Sequence, residues 1–118
     1  MVKETVIEVP VNLSSCDNVP VAELENVCAL TICVKNLMGE IIHVEGLPFP
    51  VEVPEEIRVR VVAVVGNEEV EMFRTVLNKE KSRTTLLLAD ELKKVRIYAT
   101  SNLSATCAVL EIVVLNRE

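Results

Sequence analysis

Apolar residues recur at every second position from 57 to 65, where the chain reads Ile-Arg-Val-Arg-Val-Val-Ala-Val-Val, and a second such run fills 68–77 beyond Gly66-Asn67. Period-two alternation is the mark of a strand with one face buried. Two runs separated by two residues predict a hairpin, with Gly66 at the first central position of a type II′ turn, where positive φ suits glycine. That turn sets Val64 opposite Glu69, Ala63 opposite Val70, Val61 opposite Met72 and Val59 opposite Arg74. One face then collects Ile57, Val59, Val61 and Ala63 with Val70, Met72 and Val76, and is expected in the core. The other carries Arg58, Arg60, Glu69 and Glu71, with Val62, Val64 and Phe73 between them. A slip of one residue would turn Glu71 inward, so the pattern specifies the register.

The remaining chain continues in short segments. Residues 3–13 place Thr5, Ile7, Val9, Val11 and Leu13 on one face and Glu4, Glu8, Pro10 and Asn12 on the other. Pro10 cannot donate to a ladder, which predicts an edge strand, or a terminal arm over 1–13 able to pair with a neighbour. A polar loop over 14–19 leads to a single helical turn through Leu24. Residues 26–34 and 40–44 read as a second hairpin about the turn 36–39. Pro48, Pro50 and Pro54 exclude a central strand over 46–54, which is expected to cross between two sheets. A charged turn at 78–81, a strand over 83–88, a helical turn over 89–92 and a final hairpin of 94–100 with 105–115 complete the chain. Eight or nine short strands without a long helix predict one domain over 1–118, an antiparallel β-sandwich, jelly-roll-like or immunoglobulin-like.

Composition strengthens the β assignment and removes several functions. Valine supplies 22 of 118 residues, and the aromatics are Phe49, Phe73 and Tyr98 alone. The absence of glutamine beside many Glu, Lys and Arg is a thermophile signal, offset by eight asparagines. A net charge of −6, with no basic stripe among aromatics, argues against nucleic acid as a partner. No apolar run is long enough for membrane insertion, and the acidic start lacks the apolar stretch of a signal peptide, so synthesis in the cytoplasm is expected. The Asn-Leu-Ser triplets at Asn12 and Asn102 would carry glycans only on a secretory route.

Candidate chemistry is sparse. Cys16, Cys28, Cys33 and Cys107 have no zinc-module spacing, and His43 is the sole histidine. Cys28 and Cys33 are an odd number of positions apart on one strand, which directs them to opposite faces and forbids a mutual bond. Buried free thiols are expected, with at most one disulfide, through Cys107 with an unassigned partner. His43, between Ile42 and Val44, reads as a structural or exposed strand histidine rather than a base. Glu55-Glu56 and Glu68-Glu69 lie at turns, where solvated charge is the default. Three glycines leave no phosphate loop. The expectation is a non-enzyme with no catalytic, cofactor-binding or metal-binding residue.

The informative excess is aliphatic. Val62, Val64 and one face of 105–115 exceed what a single core needs, and surplus apolar strand surface suggests subunit contact. The sequence therefore predicts a structural subunit of a capsid, turret or filament, found in a virion or other assembled particle. Its homo-oligomer interface is expected at Val6, Ile7, Val9, Val62, Val64, Leu110, Ile112 and Val114. The alternative is an accessory module that binds a carbohydrate or a protein partner.

Overall fold

The computed structural model describes residues 2–13, 18–88 and 94–117. It is all-β, without a helix among the described residues, and has ten strands. These are β1 (Val2–Pro10), β2 (Ala22–Glu25), β3 (Val27–Lys35), β4 (Gly39–Ile42), β5 (Val51–Pro54), β6 (Ile57–Val65), β7 (Glu68–Leu77), β8 (Arg83–Leu87), β9 (Lys94–Ser101) and β10 (Val109–Arg117). The first sheet has the order β1-β10-β3-β8 and the second β2-β9-β6-β7, while β4 and β5 pair only with each other. Every strand pairing is antiparallel.

One cluster of buried side chains draws on both four-stranded sheets. Leu30, Ile32, Leu110, Ile112 and Val114 come from the first, Ile57, Val59, Val61, Val95 and Ile97 from the second. Alternation along each strand puts these residues on one face, and burying each large aliphatic chain contributes roughly 1.5–3 kcal/mol. β1 is an edge strand, with Pro10 opposite Val109 at its end. Beyond it Val11 donates to Ala108 O and Asn12 to Ala99 O, so the chain passes from the first sheet to the second within two residues.

The central hairpin forms about a Gly66 with φ of 62°, and Val64 faces Glu69 and Ala63 faces Val70 as the pattern predicts. Beyond those pairs the register corrects the expected one. A bulge at Val61/Val62 leaves Met72 as an extra residue, so Val61 opposes Phe73 and Val59 opposes Thr75. An added residue reverses the faces of everything beyond it. Phe73 and Leu77 therefore turn to the core, while Met72 and Val76 are 37% and 40% exposed; Val70, before the bulge and opposite Ala63 as expected, is nonetheless 51% exposed near the turn.

Five other expectations fail, four of them on strand partnership. The segment through Leu24 is β2 rather than a helical turn, and it pairs with β9. β4 does not return along β3, and residues 51–54 form a strand, β5, rather than a crossing. β9 and β10 lie in different sheets and form no hairpin. Leu13, placed with the core-facing residues of the first strand, is 43% exposed. The helical turn read at 89–92 lies outside the described residues.

Sheet changes are made at asparagines. Asn26, with φ of 53°, separates β2 in the second sheet from β3 in the first, and Asn36, with φ of 60°, ends β3. Asparagine tolerates this left-handed region, whereas β-branched side chains clash with the backbone there. Asn26→Val is expected to cost about 1–2 kcal/mol and Asn26→Gly much less, read as shifts in urea midpoint. Equal midpoints for valine and glycine would remove the hinge from this account.

Candidate functional site

The predicted interface residues divide between two environments. Leu110, Ile112 and Val114 are at most 1% exposed inside the shared core, so this chain's own sheets already cover them. That corrects their assignment to a contact surface. The face of β10 turned away from the core carries Val109, Val113 and Leu115, all half-buried. Ile7 and Val9 pack against the core, while Val6, opposite Val113, is 53% exposed. Val62, surplus to one core by its sequence pattern, is 1% exposed within a single chain. Its ladder neighbours are Arg96 and Glu71, and long charged side chains cover apolar neighbours with their stems. Val64 is half-buried.

Around Val62 a chain of charges crosses the second sheet. Arg96 Nε donates to Glu23 at 2.8 Å and Arg96 Nη1 to Glu69 at 3.1 Å. Tyr98 Oη donates to the same Glu69 oxygen at 2.5 Å. The hydrogen bond from Tyr98, then that from Arg96, holds the Glu69 carboxyl below its usual pKa. Arg96, then Lys94, does the same for Glu23. Burial, then Glu69, raises the Tyr98 hydroxyl. Both carboxylates thus stay ionised at lower pH than free ones, and Tyr98 is fixed as a donor.

Fixing Tyr98 shapes a groove beside it. The Arg60 guanidinium lies 4.3 Å from the Tyr98 ring centroid, a cation–π geometry. Arg58, Arg60, Arg74, Val76, Tyr98 and Thr100 line a shallow cavity of about 300 Å³. Arg74 donates to Glu71 at 2.7 Å. Three of the chain's six arginines thus meet on one surface of a protein of net charge −6. The alternation Arg58-Val59-Arg60 was legible; the convergence of Arg74 and Tyr98 on it was not.

The second feature is the spur formed by β4, β5 and their connecting loop. Every residue in 38–50 is exposed, including Met38, Ile41, Ile42, Val44, Leu47 and Phe49. The molecule measures 59 × 27 × 17 Å, and a nine-residue strand spans only about 30 Å. The spur is paired to neither four-stranded sheet.

Its neck is clamped by a group the sequence placed in solvent. Glu55 is 2% exposed. Its Oε1 accepts from Met38 N at 2.9 Å, and its Oε2 accepts from Ser101 Oγ and Thr106 Oγ1, each at 2.5 Å. Asn102 completes the clamp: its Oδ1 accepts from Glu56 N and its Nδ2 donates to Pro54 O. That sequon amide is therefore engaged in structure, as is Asn12, whose Nδ2 donates to Val19 O at 2.6 Å. Glu68 and Glu69 flank the exposed side of the central turn.

The other chemistry-bearing residues stand apart. His43 is exposed in the spur loop, just past β4. Cys28 and Cys33 are half-buried free thiols, Cys107 is exposed and free, and Cys16 lies outside the described residues. Cys28 Sγ donates to Leu115 O, and Cys33 sits in the ladder between Glu111 and Arg83. Among the described residues no group of His, Cys, Asp and Glu is placed to hold a metal ion. No protein-family model matches the sequence, and no curated protein is significantly similar to it.

Proposed function

We propose that the two four-stranded sheets stack as a β-sandwich and that the protein is a non-enzymatic structural subunit, self-assembling into a filament or shell. The observation that carries this reading is the spur. Thirteen consecutive exposed residues, 38–50, hold six large apolar side chains on a hairpin outside the core. A projecting apolar surface of this kind marks a contact site, and nothing among the described residues covers it. Stable contacts bury on the order of 1,200–2,000 Å² in total.

The test is light scattering over a range of concentrations. Wild type is expected to form a discrete oligomer or polymer, and Ile41→Ser/Leu47→Ser/Phe49→Ser to remain at the mass of one chain with an unchanged urea midpoint. A wild type that stays monomeric at the highest concentration would defeat assembly. The arginine groove favours a second reading, an accessory module that binds an anionic carbohydrate or protein partner. Glycan-array binding by a monomer would select it.

A further inference from the structure

We propose that the arginine groove on the second sheet is the receptor for the spur of another copy of this chain, so that copies join head to tail. This rests on the self-assembly reading and names the partner surface. Charge complementarity carries it. The exposed glutamates of the spur are Glu40, Glu45 and Glu52, and residues 36–57 contain no lysine or arginine, whereas the groove gathers Arg58, Arg60 and Arg74. Arg60 has a ring contact with Tyr98 and a through-space attraction to Glu69 but no ion pair among the described residues, so it can take up an incoming carboxylate.

Shape points the same way. Phe49 stands between Pro48 and Pro50 and is 60% exposed. Flanking prolines fix the backbone in advance, so little conformational entropy is lost on docking. The groove offers Val76 and the Tyr98 ring as an apolar floor beneath its arginines, and a cavity of about 300 Å³ admits one large side chain. Phe49 there would meet guanidinium groups over its ring, and Glu45, four residues away, would meet their charge. The spur does not fill its own groove, since residues 38–50 are all exposed.

Two different surfaces in one contact make it heterologous. Such contacts do not close unless the rotation between copies forms a ring, so the product is a ring or an open filament. Charge reversal on either surface is expected to weaken association about a hundredfold or more.

The experiment uses two full-length variants and sedimentation velocity, with urea midpoints as the fold control. Arg60→Glu/Arg74→Glu disables the groove and Glu45→Ser/Phe49→Ala, which adds no charge that could pair with the reversed groove, disables the spur. Each alone is expected to sediment as a folded monomer. Mixed in equal amounts they are expected to give a dimer and nothing larger, because one intact spur meets one intact groove. If the groove variant is unstable, Arg74→Gln, at a well-exposed position, serves in its place with a smaller loss. Groove variants that assemble like wild type would overturn this pairing and leave self-assembly standing. A mixture that yields no dimer would also overturn it, and a monomeric wild type would remove both readings.

Discussion

Glu55→Leu is expected to destabilise the protein by about 3 kcal/mol or more, although it replaces a charge with an apolar residue of similar size at a buried position. Hydrogen bonds to a charged group contribute roughly 1.5–3 kcal/mol each, and a buried donor left unsatisfied costs about 1–3 kcal/mol. Glu55 accepts three. Two of its donors are themselves acceptors: Ser101 Oγ receives Leu103 N at 3.1 Å and Thr106 Oγ1 receives Ala108 N at 3.0 Å. The carboxylate thus ends two relays that order the loop between β9 and β10, and ties both to the neck of the spur. Leucine would leave the Met38 N–H and both hydroxyl protons without an acceptor. Glu55→Gln keeps the shape and one oxygen, and the hydroxyls can rotate to accept from its amide, so about 1–2 kcal/mol is expected. Urea unfolding measures both. A leucine variant as stable as wild type would show that the three hydrogen bonds add nothing beyond what water supplies.

Glu55 also shows where sequence reading ends. Its partners lie 46 and 51 positions away, so nothing local distinguishes it from Glu56, which is exposed. Alternation was legible because it is a local consequence of the pleat, and it located most of β1, β3, β6, β7, β8, β9 and β10. The turn at Gly66 was legible because the positive φ of its first central position favours glycine. Partnership was not, because a strand's pattern reports which face is buried and not which strand lies beside it. Pairing sequence neighbours therefore gave hairpins for β3 with β4 and β9 with β10, where the chain instead changes sheets or leaves them. The bulge at Met72 was invisible for a related reason. Both registers place an apolar residue opposite Val61, Met72 in one and Phe73 in the other. Val62 misled because burial by the stems of charged neighbours looks, in sequence, like an apolar residue without cover.

The same strand that suggested subunit contact offers the sharpest test of which face is which. Ile112→Glu is expected to abolish stable folding, whereas Val113→Glu should leave it nearly intact. Ile112 is fully buried, in the ladder between Ile7 and Ile32, with the second sheet's core residues in the same cluster. A carboxylate there loses its hydration with no partner, and an unpaired buried charge costs several kcal/mol even when the group neutralises by taking up a proton. Native domains hold only about 5–15 kcal/mol in total, so a loss of about 4 kcal/mol or more, with the packing of isoleucine gone as well, leaves little. Val113 points the other way, half-buried beside Val6 and Thr31, where a glutamate can reach water as Glu111 does two positions before it. Glu111 is held there by Lys35, which bridges it at 2.6 Å and Glu8 at 3.2 Å, and that ion pair raises the Lys35 pKa. The surface beside Val113 thus already accommodates carboxylates. Circular dichroism and urea midpoints of the two variants decide the matter. If Val113→Glu unfolds and Ile112→Glu does not, the core lies on the opposite face of β10 and the shared cluster of the two sheets is wrong.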